Sequence, residues 1–250
     1  MGLFGGFDNK KAYTAHVQGN KLIESGRIDE GREKHAEALK LYEKSRQNGS
    51  LNKASYMLAY GVLLLRYGKL DEAREVMLAT EKMPGITAAE KTQLRINYSV
   101  CQWRMGNLDK AIELMKAAAS AGKSGMIYTT LGYYLIEKAI QTGDFTEAVE
   151  FNREAYEYDD EDPATLDNFG QLNLAQGNRE EAYKYFKKAH EIKPAQTSTL
   201  YFLAKMNHED GNDEEADKLI TRALNGNYSA LCSVTYDQSL ALKKEIDAAK

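Results

Sequence analysis

Apolar residues recur at intervals of three and four along most of the chain, and glycine-containing turns interrupt the pattern at regular steps. A mean interval of about 3.6 residues places apolar side chains on one face of an α-helix. The turn glycines are Gly26, Gly68, Gly106, Gly143, Gly177 and Gly211. Only 3 prolines occur in 250 residues, so long stretches are free to be helical. The pattern predicts an all-α chain of short helices joined by turns.

The clearest copy of the recurring unit spans residues 163–194. Gly170 lies in its first helix and Gly177 in its turn. Ala182 and Phe186 lie in a second helix that ends before Pro194. Small residues let two helices approach closely, and the aromatic ring fills the space beside them. The unit therefore predicts an antiparallel helix pair.

This unit resembles the tetratricopeptide repeat, a helix–turn–helix of about 34 residues with small residues at fixed offsets and a closing proline. The resemblance implies a right-handed α-solenoid, a superhelix of antiparallel helix pairs that acts as a binding module. Six repeats are predicted, over residues 12–45, 54–87, 88–124, 125–162, 163–196 and 197–230. A flexible lead-in is expected over residues 1–11. A C-terminal capping region is expected over residues 231–250, with an amphipathic helix from about Tyr236 to Ala249 that covers the apolar end of the array.

Three local features depart from the regular repeat. In repeat 4 the turn glycine, Gly143, follows Gly132 by eleven residues instead of seven, and the four extra residues add about one helical turn. Thr87 and Glu90 form a T-x-x-E pattern, which predicts a capping box at a helix N-terminus. The acidic run 159–162 is interpreted as a solvated connection, with a bound cation or a basic partner as the alternative.

The resemblance also implies that one stripe of each first helix lines the concave surface where partners bind. We call these residues the stripe: Tyr13, His16, Asn20, Leu58, Val62, Leu65, Ile96, Val100, Trp103, Met126, Thr129, Tyr133, Ile136, Asp167, Gln171, Tyr201, Lys205 and His208. Its members in repeats 2 to 4 are largely apolar, whereas those in the first and last repeats are polar. Large exposed apolar patches usually mark interaction sites.

We interpret the stripe as a hydrophobic groove that accepts an amphipathic helix or an extended peptide, with Trp103 as an anchor. The chain is then a non-catalytic protein–protein interaction scaffold. Coverage of the stripe by the chain itself, through tighter superhelical packing or the lead-in, is the alternative, and self-association into a homo-oligomer is a third. A regulatory sensor whose superhelix responds to a small peptide or ligand is the second functional hypothesis. Related sensors usually carry a DNA-binding helix-turn-helix domain, for which this chain has no room.

One subgroup of these repeats binds the C-terminal carboxylate of chaperones through a Lys/Asn/Asn/Lys/Arg clamp. His16 stands where the first clamp lysine is expected, and Asn20 matches the asparagine that follows. Ala59 replaces the second asparagine, and Gln93 and Asn97 replace the later basic pair. One match in five argues against a receptor for chaperone tails.

Charge and composition narrow the class of partner. The net charge of −4 argues against nucleic acid, because no basic excess is present to neutralise phosphates. No sustained apolar run suggests a signal peptide or a membrane span. The two cysteines, Cys101 and Cys232, are far apart and match no disulfide framework, which favours reduced thiols and a cytoplasmic protein.

Motifs that carry chemistry are missing from the sequence. The four histidines form neither an HExxH motif nor a set of metal ligands with a nearby cysteine. No glycine-rich phosphate loop, nucleophile elbow or Cys/His pairing is found. We therefore expect no enzymatic activity, no metal site and no cofactor.

Overall fold

A computed structural model of the chain describes residues 5–226 and 228–249. These residues form thirteen α-helices and no strand. The helices are α1 (Gly5–Glu24), α2 (Ile28–Gln47), α3 (Ala54–Arg66), α4 (Leu70–Glu81), α5 (Ala88–Arg104), α6 (Leu108–Ala119), α7 (Gly125–Thr142), α8 (Thr146–Tyr158), α9 (Pro163–Ala175), α10 (Arg179–Ile192), α11 (Thr197–Glu209), α12 (Asp213–Leu224) and α13 (Tyr236–Ala248). The all-α prediction is confirmed.

Successive helices pack as pairs, from α1 with α2 to α11 with α12, and α13 follows the sixth pair. The six predicted turn glycines join the two helices of each pair, and all have φ between 69° and 83°. A positive φ of this size is left-handed backbone, which glycine adopts without steric cost. The recurring glycines therefore mark the reversals of the chain, as the sequence pattern indicated.

The prediction of a flexible lead-in over residues 1–11 is wrong for residues 5–11, which belong to α1; residues 1–4 lie outside the described part. Two contacts hold this end of the helix. Asn9 is buried and donates from Nδ2 to the carbonyl of Ser50 at 2.8 Å, and Lys44 pairs with Asp8 at 3.0 Å. These partners lie about forty residues along the chain, which explains why local sequence did not reveal them.

The chain divides into two compact units, of which the N-terminal unit ends at Ala121 and the C-terminal unit begins at Gly122. The core of the N-terminal unit contains large buried side chains from α2, α3 and α4. Tyr42 and Tyr60 stack with ring centroids 5.3 Å apart. Leu63, Leu64 and Met77 are fully buried. Aromatic and aliphatic surfaces of this size supply most of the stabilisation of such a core.

The core of the C-terminal unit continues into the last helix. Phe186 and Phe202 stack at 5.1 Å, and Leu242 and Ile246 of α13 join the same buried cluster as Ile220 of α12. Within the capping region 231–250, where the helix was expected over about residues 236–249, α13 spans Tyr236–Ala248. Residues 228–235 form a non-helical connection before it.

Helix α7 has 18 residues and ends at Gly143 with φ of 78°, as the eleven-residue interval in repeat 4 predicted. Its inner face stays buried to the end, since Ile136 and Ala139 are buried, whereas Ile140 in the added turn is 59% exposed. Within residues 5–226 and 228–249, every helix is too short or too polar to span a membrane.

Candidate functional site

The stripe of the N-terminal unit is largely interior. Five of its nine members are buried: His16, Leu58, Leu65, Ile96 and Val100. The other four keep contact with solvent: Tyr13, Asn20, Val62 and Trp103. Helix α3 packs against both α1 and α5, so side chains that face a neighbouring first helix lose their water contact. The interpretation as an open apolar groove therefore does not hold for the five buried side chains.

His16, predicted to face a partner, instead packs within the pair α1–α2. Its ring lies edge-on to those of His35 and Tyr42, with centroids 5.5 Å and 6.4 Å away. Burial, and then the nearby His35, lowers the pKa of His16 from 6.5 to about 4. Burial also lowers the pKa of His35. Both imidazoles are therefore uncharged at neutral pH.

The hydrogen bonds of His35 define its tautomer. Its Nε2 lies 3.1 Å from Oδ1 of Asn20, and its Nδ1 lies 2.9 Å from the hydroxyl of Tyr67. Because an amide oxygen only accepts, Nε2 carries the proton and Nδ1 accepts from Tyr67. Asn20 is thereby oriented by the core, so the polar end of the stripe is a fixed structural feature.

The stripe of the C-terminal unit is more polar and also partly buried. Its buried members are Ile136, Asp167 and Gln171. Its half-buried members are Thr129, Tyr133, Tyr201, Lys205 and His208, and Met126 is exposed. His208 contacts Asp213 through Nδ1, and Lys205 lies 4.0 Å from Glu209. These two polar members of the stripe are therefore engaged with acidic side chains of the same unit.

Asp167 is the centre of a buried polar network on α9 and α11. Its carboxylate is 3% exposed and accepts from Thr199 Oγ1 at 2.6 Å and from Gln171 Nε2 at 2.7 Å. Burial raises the pKa of Asp167, while hydrogen bonds from Thr199, Gln171, Ser198 and Gln196 oppose the rise. A buried carboxylate without a cation needs such donors to offset its lost hydration.

The connection 228–235, which we call the return segment, lies on this same face of α7 and α9. Gln171 Nε2 donates to Ser233 Oγ at 3.2 Å. The hydroxyl of Tyr133 donates to Glu137 Oε1 at 2.6 Å and lies 3.4 Å from the carbonyl oxygen of Ser233. The alternative that the chain itself covers the stripe thus applies here, through the return segment.

The return segment is itself compact. The amide of Cys232 donates to the carbonyl of Ser229 at 3.1 Å, which closes a turn. Val234 is buried, whereas Leu231 is 42% exposed. Burial raises the pKa of Tyr133, and the nearby Glu137 and then Cys232 raise it further. The phenol of Tyr133 therefore stays protonated and remains a hydrogen-bond donor.

Tyr133 and Gln171 were predicted to lie on the stripe, but the segment that contacts them was not predicted. Two signals were available. The connection between α12 and α13 is much longer than the turns within the helix pairs, and it carries apolar residues up to Val234 directly before Thr235, the N-cap of α13. Long ordered connections in compact folds are often functional.

The described residues contain no group of three or more histidine, cysteine or acidic side chains that could hold a metal ion. Burial raises the pKa of the Cys101 thiol to about 11, so this cysteine is an inert core residue at neutral pH. The acidic run is exposed except for Asp162, whose Oδ2 accepts from the Thr165 amide at 2.7 Å as the N-cap of α9. The arrangement offers hydrogen bonds and apolar contacts to a partner.

Two segments of the chain match family models of the tetratricopeptide repeat, over residues 17–85 and 164–196. They include most of the first two helix pairs and the fifth pair, which contains the repeat with the clearest sequence pattern. No curated protein matches the sequence.

Solved structures share the fold at low sequence identity. A tetratricopeptide repeat protein of Thermus thermophilus is 17% identical with a TM-score of 0.62, over 79% of this chain and 98% of its own. A chain of the APC/C hetero-tetramer Cut9–Hcn1 is 19% identical with a TM-score of 0.62, over 97% of this chain and 47% of its own. A tetratricopeptide repeat protein of Parabacteroides merdae is 11% identical with a TM-score of 0.54, over 95% of this chain and 99% of its own. The likeness concerns the fold alone.

Proposed function

Because the chain is a tetratricopeptide repeat protein, we propose that it is an interaction scaffold that binds a peptide segment of a partner protein on the stripe of its first helices. Proteins of this family are generally non-catalytic scaffolds. The arrangement of side chains around the stripe is compatible with that role, since it consists of aromatic and aliphatic surface beside fixed amide and hydroxyl groups.

The observation that carries this proposal is the return segment on α7 and α9. There a non-helical stretch of polypeptide contacts stripe residues through a serine hydroxyl and a main-chain carbonyl. Main-chain contacts combined with side-chain pockets are a common mode of peptide recognition. A face that holds one such stretch in cis is suited to hold another from a partner.

In the N-terminal unit the accessible part of the stripe offers Tyr13 on α1 and Val62 on α3, two helices that contact each other. Tyr13 is exposed, and its ring lies 6.0 Å from that of Tyr56 on α3. An exposed tyrosine beside a second tyrosine is the kind of surface on which interaction hot spots form. We place the partner's apolar side chains on this part of the stripe.

The test is selection of a random dodecapeptide library on the full chain, followed by titration of a selected peptide by fluorescence anisotropy. The combined variant Tyr13→Ala with Val62→Ala is expected to weaken binding at least tenfold. The matched control is Leu78→Ala on α4, which removes an exposed aliphatic side chain away from the stripe. Selected peptides that bind this variant and the parent chain equally contradict the placement of the partner on the N-terminal unit.

The alternative proposal is a regulatory sensor, in which a small peptide or ligand changes the packing of the helix pairs. One observation supports this alternative. The return segment covers part of the C-terminal unit and leads into α13, so a ligand that displaces it would act directly on the connection to that helix. Small-angle scattering with the selected peptide at saturation tests this alternative. An unchanged radius of gyration argues against the sensor and leaves the scaffold in place.

A further inference from the structure

We propose that the return segment is an internal ligand that closes a peptide-binding face on α7 and α9. The partner that opens this face is a non-helical peptide carrying a serine or threonine followed by a β-branched residue. This inference rests on the proposed scaffold function and adds to it the partner's chemistry and the regulation of one face.

The preference for a hydroxyl follows from the two hydrogen atoms of the Gln171 amide. Its Nε2 donates one to Asp167 Oδ2 at 2.7 Å and the other to Ser233 Oγ at 3.2 Å. Asp167 in turn is held by Thr199, so the amide cannot rotate without leaving a buried carboxylate short of a donor. One N–H therefore points at the position where the segment places its hydroxyl oxygen.

The second contact is made to the main chain. The Tyr133 hydroxyl lies 3.4 Å from the carbonyl oxygen of Ser233, and because it donates its one hydrogen to Glu137 at 2.6 Å, this is a packing contact and not a second hydrogen bond. The residue after Ser233, Val234, is 2% exposed, so the proposed partner carries a β-branched side chain of similar volume at this position. Together these contacts favour a peptide in which a serine or threonine is followed by a β-branched residue.

The charge of the surroundings limits the partner further. Glu137 accepts from Tyr133 and Asp167 accepts from Gln171, so both groups that contact Ser233 are themselves bonded to acidic side chains. A carboxylate at the position of Ser233 would meet like charge in a poorly hydrated place. Peptides with an acidic residue there should be excluded, in cis and in trans.

Occupation in cis makes the face available only for the fraction of time that the segment is displaced. The apparent dissociation constant of an added peptide equals its intrinsic constant divided by that fraction. A short tether gives the segment an effective concentration of about 1 mM. An added peptide must therefore bind better than the segment does, or the segment must be released.

The probe is a fluorescein-labelled peptide of residues 228–235, YSALCSVT, titrated under reducing conditions up to about 1 mM. The releasing variant is Ser233→Glu in the full chain, which disfavours the segment and leaves the face unchanged. The control is Leu231→Glu, which adds the same charge to the same segment on an exposed side chain. We expect the probe to bind Ser233→Glu at least tenfold more tightly than the parent chain or the control.

A second step assigns the gain to this face. Adding Tyr133→Phe and Gln171→Met to Ser233→Glu is expected to remove the tenfold gain, with unchanged helical circular dichroism as the check on folding. In the parent chain, hydrogen exchange at the amides of residues 229–235 is expected to accelerate when the pair Tyr133→Phe, Gln171→Met is introduced.

Equal affinity of the probe for Ser233→Glu and for the parent chain, or no binding to either, overturns the inference. Unchanged exchange of the segment amides in the Tyr133 and Gln171 variant also overturns it, because the segment is then not held by these contacts. A library peptide whose binding depends on Tyr13 and Val62 should bind Ser233→Glu and the parent chain alike. Failure of this inference is therefore distinguishable from failure of the scaffold proposal, because the scaffold proposal is tested with variants of the N-terminal unit.

Discussion

At the scale of single residues, the buried imidazole of His16 makes stability depend on pH. Its pKa is lowered from 6.5 to about 4 by burial and by His35. Between these values the unfolded chain binds the proton and the folded chain does not, so stability falls as the pH falls from about 6.5 to about 4. For this group alone the loss between pH 7.5 and pH 5 is about 2 kcal/mol.

The measurement is urea unfolding at both pH values for the parent chain and for His16→Gln. The variant carries no titrating group at this position, so its loss of stability on acidification should be smaller by about 2 kcal/mol. The difference between the two proteins cancels the carboxylates, which titrate in both. An identical loss in both proteins would show that His16 is protonated without cost in the folded state.

A second prediction at this scale concerns the small residue that lets α9 and α10 approach. A Cβ added at Gly170 would lie 2.5 Å from Cε1 of Phe186, a ring with no exposed surface. Alanine is favoured over glycine in a helix by about 1 kcal/mol, but displacing a packed ring costs about 1–3 kcal/mol. Gly170→Ala should therefore destabilise the chain by up to about 2 kcal/mol.

Gly61 on α3 is the matched control. A Cβ there would meet the flexible Met77 side chain, whose Cε lies 3.3 Å away. Methionine adjusts its rotamers readily, so Gly61→Ala should be neutral or stabilising by up to about 1 kcal/mol. Thermal and urea unfolding of both variants distinguish the two cases. Equal changes in the free energy of unfolding would mean that the close approach of α9 and α10 does not determine whether alanine is tolerated at Gly170.

At the scale of helices, Asp162 has a different role from its acidic neighbours. It accepts from the Thr165 amide at 2.7 Å at the start of α9, with Pro163 in the first turn. Removing a side-chain N-cap costs about 1 kcal/mol. Asp162→Ala should therefore lower the free energy of unfolding by about that amount.

Asp160 offers the control, since it lies in the same run and its exposed side chain caps no helix. Lys188 Nζ contacts only its main-chain carbonyl, which alanine retains. Asp160→Ala should change stability by less than about 0.5 kcal/mol. Equal losses in the two variants would indicate that the charge of the run matters and the cap does not.

Helix boundaries were predictable where the signal is local. The capping box of Thr87 and Glu90 is confirmed, with Thr87 Oγ1 accepting from the Glu90 amide at 3.2 Å. The box of Thr235 and Gln238 at α13 was missed, although its T-x-x-Q pattern is of the same kind. The start of the last helix near Tyr236 was nevertheless expected from its amphipathic pattern, and α13 begins at that residue.

Coverage of the stripe was not predictable in the same way. Helical periodicity shows that Tyr133 and Ile136 lie near one face, but not that one is half-buried and the other fully buried. The contacts of Ser233 with Gln171 and Tyr133 join residues 62 and 100 positions apart. Contacts of this range depend on how completed helices pack, which no local pattern encodes.

At the scale of the whole molecule, a stack of helix pairs ends in an apolar face unless another element covers it. Here Leu242 and Ile246 of α13 are buried in one cluster with Ala216, Leu219 and Ile220 of α12. Helix α13 is amphipathic, because Ala241 and Lys244 on its other side are exposed. The end of the array is thus closed by two aliphatic side chains.

Replacing both side chains, Leu242→Asp with Ile246→Asp, should detach α13 and uncover the cluster. Loss of each buried aliphatic contact costs about 2–4 kcal/mol, and an uncovered apolar end promotes self-association. The control is Ala241→Asp, which adds a charge on the exposed side of the same helix. Sedimentation velocity should show larger species for the double variant than for the control, together with a lower unfolding midpoint in urea. If the double variant sediments and unfolds like the control, α13 does not cap the array, and the apolar cluster of α12 is stable without it.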